Sequence, residues 1–252
     1  MNKTSAIVLT AAGLLSVTAP ASAATINALG FANVSLSCAF LPCSASVPFS
    51  GGDLAASTPA GYQGLGFNPV MVHNYQGGNP AEAASFQVFN LPVHSSLNVG
   101  FLLAIIDSWD GSTGRGGTVF PDSLNITVDG VSIFQETFDN FDATDQSAST
   151  ANQMSFGTNL GFNGGWADSA YDFTGSNALL NIPHTGSSAL VQFFASGAGW
   201  QGGDASGGDE SFGLDKIVIS INTDERIPEP GSLALLGIGL AGMAARRRRA
   251  TA

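Results

Sequence analysis

Lysine and arginine are scarce: eight basic residues stand against 19 acidic ones in 252, and they are unevenly placed. Lys3 sits at the start and Arg246, Arg247, Arg248 and Arg249 at the end, leaving three between them amid all 19 carboxylates. Such a chain repels nucleic acid and offers no basic patch from which counterions could be released, so nucleic acid is excluded as a partner. Cysteine is nearly absent. Cys38 and Cys43, in CAFLPC, lack the C-x-x-C spacing and a second pair, which argues against a redox motif or a zinc site. His73, His94 and His184 are the only histidines, and no G-x-S-x-G, H-E-x-x-H or catalytic-cysteine context accompanies them, so the residues nominate no enzyme. Long stretches of helical period are missing from the body as well.

What is present begins with a leader. MNKTSAIVLTAAGLLSVTAPASA has a positive Lys3, an apolar stretch from Ala6 to Val17 too short to span comfortably, and a small-x-small step at Ala21-Ser22-Ala23. Residues 1–23 are expected to be a signal peptide, with the mature chain beginning at Ala24. Export places the protein in an oxidising compartment, where Cys38 and Cys43 are expected to close a small disulfide loop contributing roughly 2 kcal/mol.

The other end, 225–252, carries a second signal. Pro228-Glu229-Pro230 is followed by a 13-residue apolar run, Leu233 to Ala245, and by the four arginines. As a helix the run is about 20 Å long against a hydrocarbon core of about 30 Å, and its glycines weaken it further, so a short transmembrane helix of marginal stability is expected. Arginines just beyond it can snorkel to the headgroups and hold that end on the cytoplasmic side, matching a leader that sent the rest across. The prolines keep the segment outside the membrane extended and open to an enzyme.

This three-part tail resembles a PEP-CTERM sorting signal, the exosortase-processed counterpart of the LPXTG tail. The resemblance implies a bacterial protein passed through the export machinery, held briefly in the inner membrane, cut near Pro228-Glu229-Pro230 by an exosortase, and released to the cell surface or extracellular matrix in company with exopolysaccharide.

Between the signals, 24–224 reads as one all-β domain: short apolar or alternating runs punctuated by Gly, Asn, Asp and Ser. The clearest unit, DSLNITVDGVSIFQE, predicts a hairpin turning at Asp129-Gly130, with Val128 opposite Val131 and Ile126 opposite Ile133 on the buried side. Further strands are expected over 85–91, 97–106, 178–182, 189–195 and 216–222, with one or two more in 24–37. The count suits an antiparallel β-sandwich of jelly-roll type. Asp209 to Asp215, DESFGLD, resembles a closing-strand motif of lectin-like sandwiches and of many PEP-CTERM ectodomains.

Two chemistries suit the loops of such a frame. Asp107, Asp110, Asp209, Glu210 and Asp215 lie beside strand ends and supply the oxygen ligands a hard cation needs, although no complete EF-hand or tandem repeat is present. No cofactor is required, and Ca²⁺ is the one these residues would accept. Trp109, Trp166 and Trp200 fall in Gly/Asp/Ser-rich segments, where exposed rings could stack on pyranose faces. The resulting expectation is a structural or adhesive surface protein contacting exopolysaccharide; the alternative is a carbohydrate-active enzyme, which would need only two suitably spaced carboxylates.

Overall fold

The computed structural model describes residues 23–27, 34–39, 44–46, 52–91, 93–113, 121–176, 179–203 and 209–222. The leader through Ser22, Cys43 and its expected disulfide, and the tail from Thr223 with its Pro-Glu-Pro step, apolar run and arginines lie outside the described residues. No helix among the described residues is long and apolar enough to cross a membrane.

The described chain is all-β. In order, the elements are β1 (Ala23–Asn27), β2 (Val34–Ala39), β3 (Ser44–Ser46), β4 (Gly52–Ser57), the short helix α1 (Ala60–Gly64), β5 (Val70–Asn74), β6 (Ala84–Phe89), β7 (Ser96–Ile106), β8 (Ser123–Val128), β9 (Val131–Thr137), β10 (Gln153–Thr158), β11 (Asp168–Asp172), β12 (Ile182–Pro183), β13 (Ser188–Ser196) and β14 (Ser211–Asn222). They form two sheets. One runs β1-β2-β14-β7-β11-β10, with β12 also on β7 and the β4–β5 pair also on β14; the other runs β3-β6-β13-β8-β9. The core lies between them: Phe101 of β7 meets Phe193 of β13 edge to face at 5.1 Å, and Leu103, Ile105, Phe212, Leu214 and Ile217 face Phe86, Leu124, Ile126 and Val191.

β7 explains why LNVGFLLAII shows no alternation. Phe101, Leu103 and Ile105 point into the sandwich, whereas Leu102, Ala104 and Ile106 point the other way, into a smaller cluster with Tyr62, Phe67, Met71 and Leu160. A strand buried on both faces needs apolar residues at every position. The α1 segment supplies the cover, and its Tyr62 hydroxyl donates to the Ile105 carbonyl at 3.1 Å.

Three sequence expectations are revised. The hairpin turns where expected, with Asp129 at φ 50° and Gly130 at φ 77°, the double positive φ of a tight turn whose twist matches the strands. Val131 keeps its place opposite Val128 but is 67% exposed rather than buried, and beyond Thr127 the register slips, so that Ile126 faces Phe134 rather than Ile133. A bulge on β9 causes this: one extra residue swaps the faces on its far side. The strand expected over 178–182 shrinks to the two residues of β12. Finally, the sheets are not wholly antiparallel, because β2 pairs β14 in parallel over Ile217 to Ser220.

That parallel pair depends on a second bulge. β14 pairs β7 along its length, with a shift between Asp215 and Val218; its other edge meets β5 before the shift and β2 after it. At the shift Lys216 takes φ 46°, and the Asp215 carboxylate accepts the Lys216 N–H at 2.7 Å and the Asn68 N–H at 2.6 Å. Asp215 thereby satisfies donors that the interrupted ladder leaves without partners.

Candidate functional site

Strand direction gathers the acidic residues. Ser211 at the start of β14 is opposite Ile106 at the end of β7, and Ser123 at the start of β8 is opposite both Ser196 at the end of β13 and Thr137 at the end of β9. The segments just beyond these positions therefore share one end of the sandwich. They carry Asp107 and Asp110 after β7, Asp122 before β8, Asp139 after β9, and Asp209 and Glu210 before β14. Among the described residues Lys216 is the one lysine or arginine, and it lies along β14 rather than in these loops.

At the centre stand Asp110, Asp122 and Glu210, each offering a carboxylate oxygen within 4.8 Å of the other two. Asp122 and Glu210 are buried, and Asp110 is half-buried beside a depression of about 300 Å³ lined also by Ala198, Gly199 and Gln201. The loops are held by backbone bonds as well as side chains. Asp122 Oδ2 accepts the Asp110 N–H at 2.8 Å, Glu210 Oε2 accepts the Gln201 N–H at 2.5 Å, and the Asp122 N–H reaches the Gly111 carbonyl at 3.1 Å. Asp122 Oδ1 has no hydrogen-bond partner among the described residues.

Burial raises the affinity of these carboxyls for protons. Desolvation, aided by the neighbouring carboxylates, lifts Asp122 to about 7 and Glu210 to about 8. Asp107, buried at φ 65° next to Asp168 and Asp209, is pushed to about 8, again chiefly by desolvation. Asp139 and Asp168 are raised from the same cause, although backbone N–H groups hold each back: those of Asp142 and Phe141 for the first, and those of Leu160, Asp107 and Gly161 for the second. Close carboxylates in a partly dry site can share protons or accept a hard cation.

Of the five carboxylates singled out from sequence, Asp110 and Glu210 enter this triad. Asp107 and Asp209 belong to the same end, with Asp209 Oδ1 accepting the Ser108 hydroxyl at 2.5 Å. Asp215 does not; it caps the β14 bulge. Asp122 was missed in the sequence, and its signal was positional. It leads the first strand of the legible hairpin, but only the pairing of β8 with β13 and β9 sets it beside Asp110.

The tryptophans separate. Trp109 and Trp200 are buried, meet edge to face at 5.1 Å, and donate their indole N–H groups to the Ser211 and Gln76 carbonyls at 2.8 and 3.0 Å. They fill the loop end of the core, and neither presents a ring to solvent. Trp166 does: it is 39% exposed and stands edge to face with Phe141 at 6.2 Å, on the loop that follows Asp139. The histidines lie elsewhere. His73 is buried against Ser211 at 3.0 Å, while His94, His184 and Asp129 form a chain at the opposite end of the sandwich, with 2.7 Å between the imidazoles and 3.0 Å from His184 to the carboxylate.

Residues 226–249 match the family model of the PEP-CTERM protein-sorting motif. The chain therefore carries that sorting signal, which marks an exported protein processed at the membrane by an exosortase on its way to the cell surface. No curated protein matches the sequence. Among solved structures, those of infectious bursal disease virus strains Gx and Gt align at 16% and 18% identity over 77% of this chain and 36% and 35% of theirs, with TM-scores of 0.23 and 0.22. The chain spans about a third of the length of those structures, and overlap that slight does not relate the folds.

Proposed function

We propose that this exosortase substrate is a structural, adhesive component of the cell surface or matrix, whose lectin-like sandwich contacts exopolysaccharide through its acidic loop end. The observation that carries the reading is the direction of β14. It starts at Ser211, in the acidic end, and finishes at Asn222, opposite Ser96, from where the chain proceeds to the sorting tail. Twelve residues of strand span about 40 Å. The acidic end, its depression and the Trp166–Phe141 pair thus lie a full sandwich length from the attachment point and are presented outward, while only 223–227 separate β14 from Pro228.

The test is retention of the protein, purified from cells with its natural processing, on the exopolysaccharide of its own producer. Retention by the wild type and a several-fold loss with Trp166→Ala are expected. Equal binding to an unrelated neutral glucan, or no binding to either, contradicts the reading.

A second reading, a glycoside hydrolase or lyase on the same frame, draws on one observation: Asp122 and Glu210 hold protons near neutral pH beside Asp110, as an acid and base of glycosidic cleavage would. Release of reducing ends from the same polymer, abolished by Glu210→Gln, would favour it over adhesion.

A further inference from the structure

We propose that Asp110, Asp122 and Glu210 form a Ca²⁺ site that clamps the two sheets together at the loop end. Proximity is the first observation: three carboxylates, from loops of both sheets, offer oxygens within 4.8 Å of one another, the spacing at which one ion can be shared. The second is independent of it. Asp122 has 0% of its surface exposed, and its Oδ1 meets no donor among the described residues, although a buried carboxylate oxygen without a partner is strongly disfavoured. A bound cation satisfies that oxygen.

The donors select the ion. All three are carboxylates, with no imidazole or thiolate among them, so the site takes a hard cation rather than zinc or copper. Ca²⁺ needs six to eight oxygens in loose geometry. The depression beside Asp110 opens to solvent and admits waters to complete the shell. Mg²⁺, which demands a tight octahedron, fits this irregular set less well. Position gives the ion its mechanical role: Asp122 leads β8 of the five-stranded sheet, whereas Asp110 follows β7 and Glu210 precedes β14, both in the nine-stranded one. One ion then ties together chain ends from opposite layers. This site stands whether or not a glycan binds next to it.

Terbium(III) is the probe, because Trp109 adjoins Asp110 in the chain and can sensitise its emission. In the full chain, emission should appear on adding Tb³⁺, fall when Ca²⁺ competes, and require at least about tenfold more metal in Asp122→Asn and in Glu210→Gln. Thermal melting supplies the second readout. Ca²⁺ should raise the wild-type midpoint more than Mg²⁺ at the same concentration. Above about pH 8, where both carboxyls ionise, Asp122→Asn should melt higher than wild type in EDTA, having lost a buried charge, and should gain nothing from Ca²⁺; Glu210→Gln should behave alike. Asp129→Asn, at the opposite end, should keep the full Ca²⁺ response. No sensitised emission, or a wild-type midpoint indifferent to Ca²⁺, overturns the site.

Discussion

Gly111 takes φ 76°, and a Cβ built on it would lie 2.0 Å from the Asp145 carbonyl oxygen and 2.8 Å from Asp139 Oδ2. The loop after β7 passes this close because the Gly111 N–H donates to the Phe138 carbonyl at 2.8 Å and its own carbonyl receives the Asp122 N–H. Gly111→Ala should therefore cost more than about 2 kcal/mol in urea unfolding, from strain at positive φ plus the clash, and loosen the Asp110–Asp122 contact. Gly130→Ala, where open space surrounds the position, should cost only the backbone strain, about 1 kcal/mol. Single residues were the least legible level in the sequence. The Gly, Asp and Ser around Trp109 and Trp200 fit exposed stacking rings and buried fillers of the sandwich end equally well, and the structure shows the second: the chain turns back over the core and leaves the indoles inside. Asp110 and Glu210 were legible as loop carboxylates; the partnership with Asp122 was not, since it depends on strand pairing across gaps of more than ten residues.

The β8–β9 hairpin shows what an element-level pattern settles and what it leaves open. Asp129-Gly130 fixed the turn and the first two pairs, Val128 with Val131 and Thr127 with Ser132. The bulge beyond them has no such mark in composition, so the facing residue changed from Ile133 to Phe134. Truncation distinguishes the two registers. Phe134→Ala, which removes a buried ring packed edge to face on Phe173 at 5.4 Å, should destabilise by about 3 kcal/mol, and Val131→Ala should stay within about 0.5 kcal/mol. Equal losses would restore the unbulged register. β7, β13 and the second half of β14 were readable because apolar density alone marks a central strand. Gln153–Thr158 and Asp168–Asp172 were not, for their polar and glycine-rich sequences pair through backbone bonds at the sheet's edge side, where β propensity is weak.

At the scale of the whole molecule, the acidic end makes stability depend on pH. A carboxyl whose pKa is higher in the fold than in the unfolded chain binds its proton more tightly when folded. Its contribution is whole below about pH 4 and drains as pH rises through the folded value. Asp122 at about 7, with Asp107 and Glu210 at about 8, places that loss between about pH 4 and pH 8. In EDTA the melting midpoint should accordingly fall from pH 5 to pH 8, and millimolar Ca²⁺ should reduce the fall by stabilising the ionised form. A midpoint that rises over this range in EDTA would mean that these carboxyls are stabilised in their charged state without metal.

The same polarity governs delivery. β14 starts in the acidic end and finishes at Asn222, and the six steps from Asn222 to Pro228 reach at most about 22 Å. On the proposed reading, an exosortase works close under the folded sandwich and the released protein presents its loops outward. Intact-mass measurement of the protein recovered from its native cell surface tests this directly. The account predicts a product that begins at Ala24 and ends near Pro228-Glu229-Pro230. A product recovered from the cytosol with Met1 and the four arginines still attached would contradict it.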